Sequence, residues 1–195
     1  MSTAVGSFRE RGAVLTTATR LTILRIVIVP VFIILLTYDK KGLALIAFVT
    51  AGVTDVLDGL IARRFGQKTS IGAVLDPLAD KLLMTASIVL LSLPAMGFKN
   101  MLPRWLMIMM ISRDVFILLV SLVIVLSVGW RIFRPSRYGK ASTFLQVLTI
   151  LAVLMGNWLE TSFAELDILY YMTGFMTALS GIHYLITSRQ YLGDE

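Results

Sequence analysis

Six long apolar stretches, at about 22–38, 43–62, 74–93, 104–129, 140–157 and 167–187, take up most of this chain. Each is close to or beyond the roughly 20 residues a helix needs to cross the hydrocarbon of a bilayer. No other property restricts the fold as much. In hydrocarbon every backbone N–H and C=O must be bonded inside the structure, so apolar segments of this length cross it as helices. The predicted fold class is therefore all-α integral membrane, with six transmembrane helices. Composition agrees: 57% of the 195 residues are hydrophobic and 15% are charged, against about 45–50% and 25% in soluble domains. That leaves too little polar surface to cover a soluble globule.

The breaks between the stretches carry charge, proline and glycine: Asp39-Lys40-Lys41-Gly42, then 63–70, 94–103, 131–139 and 157–167. Internal repeats and long linkers are absent from the sequence, so a single six-helix domain is expected over 21–190, after an N-terminal segment of 1–20. Residues 2–17 mix Val5, Phe8, Val14 and Leu15 with Arg9, Glu10 and Arg11. That pattern fits a short interfacial helix or a disordered tail equally well. Nothing near the start reads as a cleavable signal peptide. The absence of cysteine excludes disulfides and thiolate metal sites.

The formal net charge of +6 could suggest nucleic acid. In an apolar chain it is better read as basic loops facing anionic headgroups, and no nucleic-acid partner is expected. Twelve of the 18 basic residues fall on one side of the six spans, counting Arg9, Arg11, Arg20 and Arg25 ahead of the first. Only Lys40, Lys41, Lys99 and Arg104 fall on the other, while Lys81 and Arg113 lie within spans. The asymmetry places both termini in the cytoplasm, in a plasma membrane or bacterial inner membrane.

Carboxylates inside spans are the feature that calls for chemistry, because each costs about 2.5–3.5 kcal/mol at a helix centre. The second span ends Asp55-Val56-Leu57-Asp58-Gly59, and the third begins Asp76-Pro77-Leu78-Ala79-Asp80. Spacings of three and four put each pair on one helix face. Both pairs sit at the same end of adjacent antiparallel spans, so four carboxylates converge. Such a cluster needs cations, and hard oxygen donors suit Mg²⁺ or Mn²⁺. Two divalent ions balance the charge better than one and would suit phosphoryl transfer. Intramembrane acids also serve ion transport and proton relays. An ion-coupled transporter is therefore the alternative of another class, although clustering near one surface beside basic residues favours metal.

Written out, the segment is Asp55-x2-Asp58-Gly59-x2-Ala62-Arg63-x8-Gly72-x3-Asp76-x3-Asp80. It resembles the signature of the CDP-alcohol phosphatidyltransferase family, with every fixed position filled. The resemblance implies six transmembrane helices, a homodimer, and a site open to the cytoplasmic leaflet. It implies metal ligation by Asp55, Asp58, Asp76 and Asp80, with Asp80 also the catalytic base. Asp55, Gly59, Ala62, Arg63 and Gly72 would contact the CDP-lipid. The reaction implied is attack by an alcohol on CDP-diacylglycerol, with CMP leaving.

The run from Asp76 to Leu83, Leu21-Thr22-x2-Arg25, and Gly139-Lys140-x2-Thr143-x2-Gln146 are similar to phosphatidylglycerophosphate synthases and CDP-diacylglycerol-dependent cardiolipin synthases. Ala18-Thr19 departs from the usual Pro-Asn, and Arg113-Asp114 from the Arg-Glu of the glycerophosphate enzymes. The run from Ile111 to Val115 looks more like the cardiolipin branch. Glycerol 3-phosphate is the first expected acceptor and phosphatidylglycerol the second. Arg113, Arg137 and Lys140 are the candidates for an acceptor phosphate. Arg113 lies 17 residues before Trp130, about 25 Å along a helix. Either the fourth span extends into the cytoplasm or a polar cavity reaches down to Arg113. A structural Arg113–Asp pair is the other reading. His183 reads as packing and the methionines as span filling, while Trp105, Trp130 and Trp158 read as interfacial anchors.

Overall fold

The computed structural model describes residues 17–65, 70–128, 137–163 and 165–192. Among these, all regular structure is helical: α1 Thr17–Thr37, α2 Lys41–Phe65, α3 Ser70–Ser92, α4 Arg104–Val128, α5 Arg137–Trp158 and α6 Leu166–Leu192, with one 3-10 turn at Pro94–Met96. All six expected helices are present. Most outlast their apolar stretches by a few polar residues, because hydropathy marks where lipid can be, not where hydrogen bonding stops. Among the described residues, α5 is long and apolar enough to cross a membrane. The chain divides into two compact units at Ala86 and Ser87, inside α3.

In the first unit α1 and α2 form an antiparallel pair. The buried face of α1 carries Arg25, Val29, Phe32 and Leu36, and that of α2 carries Ala44, Phe48 and Ala51. These positions recur every three or four residues, as one helix face requires. The rings of Phe32 and Phe48 lie 6.0 Å apart. Seven residues away on each helix, Arg25 meets Asp55, so apolar and ionic contacts fix the same register. The turn between the helices is closed by Asp39 N–H donating to Leu36 O and Lys40 N–H donating to Leu35 O, the paired bonds of a Schellman cap. Its left-handed residue is Asp39, at φ 57°, and Gly42 is already inside α2.

The second unit packs α6 against both α4 and α5. Here polar residues share the buried seam with apolar ones such as Ile150, Val153 and Leu154. Ser142, Gln146, Thr149 and Asn157 of α5 are buried, as are Thr173, Thr177 and Ser180 of α6. On the same two helices Phe144, Leu148, Met155, Ile168, Met172, Phe175, Ile182 and Ile186 are exposed. The polar residues pair across the helices: Thr149 and Thr173 hydroxyls at 2.7 Å, Ser142 and Thr177 at 3.2 Å. Small polar residues between helices, with bulky apolar ones outside, are the pattern of helices associating in lipid.

The far end of this unit is tied by a reciprocal amide pair. Asn100 N–H donates to Asn157 Oδ1, and Asn157 Nδ2 donates to Asn100 O, each at 2.8 Å. Asn100 Nδ2 also reaches Thr161 O. Trp105 stacks on Tyr171 with ring centres 5.6 Å apart and lies over Gly174, where an added Cβ would sit 2.7 Å from the indole. Gly174→Ala should therefore displace Trp105 from its stack. Overpacking of this kind costs about 1–3 kcal/mol, to be read as a lowered thermal midpoint in detergent. An unchanged midpoint would show the indole to be freely movable.

Candidate active site

The acidic segment is built on two helices. Asp55 and Asp58 lie one turn apart on the unbroken α2, with Gly59, Ala62 and Arg63 following on it. Asp76 and Asp80 lie one turn apart on α3, after Gly72. The sequence spacing therefore does translate into shared helix faces. The side chains of Asp58, Arg63, Asp76 and Asp80 lie outside the described ones, as does the 66–69 connection. Asp55 is described: its side chain is 48% exposed, and Oδ1 lies 2.7 Å from Nη1 of Arg25, which is 1% exposed.

That ion pair corrects one element of the sequence reading. Arg25 counted there as a basic residue ahead of the first span. It is the ninth residue of α1 and is buried, so it contributes nothing to the charge asymmetry. Its role is to hold one oxygen of Asp55 and balance its charge. The signal was available, since an arginine inside an apolar stretch almost always has a partner facing the protein interior.

Carboxylates of this kind are the hard oxygen donors that Mg²⁺ and Mn²⁺ take. The half-exposed Asp55 can be reached from outside, and its second oxygen is not used by the 2.7 Å contact with Arg25. Of the expected donor set only Asp55 has a described side chain, and among the described residues no group of three or more such side chains converges.

A second constellation joins α4, α5 and α6. The Arg113 guanidinium donates from Nη1 to Asp114 Oδ1 at 2.8 Å, from Nε and Nη2 to Ser180 Oγ at 3.2 and 2.7 Å, and from Nη2 to Gly139 O at 3.4 Å. Its side chain is 9% exposed. One of the five N–H groups of a guanidinium is left over from these bonds. Arg113 is therefore a strut between three helices as well as a charge, and the Arg113–Asp pairing contemplated from sequence is present.

The contact with Gly139 also sets the level of Arg113 against α5. Arg113 lies level with the first turn of α5, which carries the exposed Arg137 and Lys140. From there α4 runs on to Val128, about 22 Å further. The fourth helix extends beyond the start of the fifth. All three candidate acceptor residues are thus brought to one helix end. Sequence reasoning missed Ser180 and the Gly139 carbonyl, which help to hold the guanidinium in place. His183, discounted from sequence, packs its ring 4.9 Å from that of Tyr138 at the same end.

An all-helical chain with inward polar groups, outward apolar ones and carboxylates one turn apart is the class these features define. A model of the CDP-alcohol phosphatidyltransferase family matches residues 15–183, and the chain belongs to that family. A CDP-diacylglycerol–glycerol-3-phosphate 3-phosphatidyltransferase of Haemophilus influenzae is 34% identical over 181 residues, covering 90% of this chain and 94% of the relative. The Bacillus subtilis protein of the same name is 30% identical, covering 85% and 91%. A probable cardiolipin synthase (CMP-forming) of Drosophila melanogaster is 35% identical over 91% of this chain, which spans only 59% of the fly protein. The chain is accordingly a phosphatidyltransferase of phospholipid biosynthesis.

Proposed function

We propose that this protein transfers the phosphatidyl group of CDP-diacylglycerol to glycerol 3-phosphate, releasing CMP, in a reaction that needs two divalent cations. The observation that carries the proposal is the pair of acidic turns on α2 and α3, with Asp55 exposed and charge-balanced by Arg25. The bacterial relatives that match over nearly their whole length carry the name of this activity.

In the proposed reaction, Asp55, Asp58, Asp76 and Asp80 hold the cations, and Gly59, Ala62, Arg63 and Gly72 hold the CDP group. The cations would supply charge neutralisation on the diphosphate. The acceptor hydroxyl gives its proton to the Asp80 carboxylate as its oxygen bonds to the lipid-side phosphorus. The bond from that phosphorus to the oxygen of CMP breaks, and CMP leaves with the electron pair. Base and nucleophile must be held together for the step to be fast. In the same proposal Arg113, Arg137 and Lys140 bind the acceptor's phosphate. The apolar outer faces of the described helices support a membrane location; six spans, with the site and both termini cytoplasmic, complete the proposal. A homodimer is part of the same proposal.

Phosphatidylglycerol is the second acceptor to weigh, because relatives carrying the cardiolipin synthase name also match. The two acceptors share a phosphate, a secondary hydroxyl and a reacting primary hydroxyl. They differ in the phosphate, a monoester in one and a diester carrying a lipid in the other. CMP release from CDP-diacylglycerol with Mg²⁺ or Mn²⁺ distinguishes them. Release with glycerol 3-phosphate is the expected result. Release with phosphatidylglycerol alone would assign cardiolipin synthesis, and no release with either would overturn the enzyme reading.

A further inference from the structure

The first turn of α5 carries its charges against the helix dipole. The N-terminal end of a helix is partly positive and favours acids. Here Arg137 and Lys140 occupy it, and α5 contains no Asp or Glu along its length. Among the described residues no carboxylate pairs with either cation. An anion from outside the chain relieves both. The rest of the same face says what kind. Residues 137, 140, 144 and 148 recur at intervals of three and four and so lie on one side of the helix. Arg137, Lys140, Phe144 and Leu148 are all exposed, whereas Ser142, Gln146 and Thr149 on the opposite side are buried in the seam with α6. Phe144 and Leu148 lie about 6 and 12 Å from Lys140 along the axis. Both fall within the roughly 15 Å of hydrocarbon that one leaflet provides. Half-exposed Tyr138, its ring 4.9 Å from that of His183, adds a phenol donor at the level of the cations. A free phosphate would use the cations and leave the apolar length bare. A zwitterionic lipid would bring a further cation to the two already there.

We infer that α5 binds one anionic phospholipid of the bilayer, with its phosphate at Arg137 and Lys140 and an acyl chain along Phe144 and Leu148. The lipid is bound and not consumed, so the inference goes beyond phosphatidyl transfer and stands without it. Where an acceptor's phosphate uses the same two cations, lipid and acceptor exclude one another.

The test uses the full-length protein in phosphatidylcholine nanodiscs without CDP-diacylglycerol. Phe144→Trp supplies a fluorescent reporter at a position 68% exposed, where a larger ring has room. Phosphatidylglycerol brominated in its acyl chains is compared, as a quencher, with phosphatidylcholine brominated in the same way. The signal of the parent protein, from Trp105, Trp130 and Trp158, is subtracted. The anionic lipid should be preferred by about fivefold or more. Arg137→Gln combined with Lys140→Gln should bring that ratio close to one. Met155→Trp is the control: it lies on the same exposed face, about 16 Å further along, and should show no preference. Leu148→Trp takes over as reporter if Phe144→Trp folds poorly. Equal preference at 144 and 155 overturns the inference, because it means diffuse attraction to a chain of net charge +6. It is overturned equally by no preference at 144, or by one that survives loss of both cations. These readings need no turnover, whereas failure of the proposed function is read as absent CMP release.

Discussion

Asp80→Asn is expected to lower CMP release by about 10³-fold or more while changing CDP-diacylglycerol binding by less than tenfold. Asparagine keeps the length of the side chain and one oxygen that can still face a cation. It cannot accept the proton that the attacking hydroxyl must lose. General-base catalysis contributes about 10²–10⁴-fold, and loss of one anionic ligand adds to the deficit. Turnover in detergent, measured beside equilibrium binding of a labelled CDP-lipid, separates the two effects. If binding and turnover fall together, Asp80 is a ligand of the metal or the CDP group only. Another residue must then be sought for the proton.

The second large effect concerns the ion pair between α1 and α2. Asp55→Asn removes the negative charge that lies 2.7 Å from the Arg25 guanidinium, which is 1% exposed. Breaking a buried pair from one side costs about 3–5 kcal/mol. Asp55 is half-exposed, so about 2 kcal/mol is the reasonable expectation. Replacing both residues, Arg25→Met with Asp55→Leu, should recover at least half of that loss, because an apolar pair of similar volume needs no compensation in this interface. Activity should fall at least about 10²-fold in both variants, since Asp55 is the proposed ligand. Thermal midpoints of the two single variants and the double variant complete the cycle. Simple additivity would mean that the pair contributes nothing to stability and serves the site alone.

The helices were legible because each apolar stretch is long and each break is polar. The acidic turns were legible because spacings of three and four leave no other arrangement on a continuous helix. The α5–α6 seam was partly legible: Ser142, Gln146, Thr149 and Asn157 recur at helical spacing within an apolar segment, and polar positions on one face of a span look inward. The turn at 39–42 was legible as a break but not in its detail. Glycine is the usual left-handed residue, yet the αL position falls on Asp39, as α2 begins one residue before Gly42.

From sequence alone came the helical architecture, the family resemblance, and the expectations of lipid as the solvent and of aspartates as metal ligands. All of these depend on composition and local periodicity, which a linear chain carries in full. Only the tertiary structure decided that Arg25 faces Asp55 and does not mark the membrane surface. Only it placed Arg113 between Ser180 and Gly139, level with the start of α5. The same is true of Gln146, which meets Thr177 across the α5–α6 seam. Partners that lie 26 to 67 residues away in sequence are chosen by how helices pack, and periodicity within one helix says nothing about what faces it.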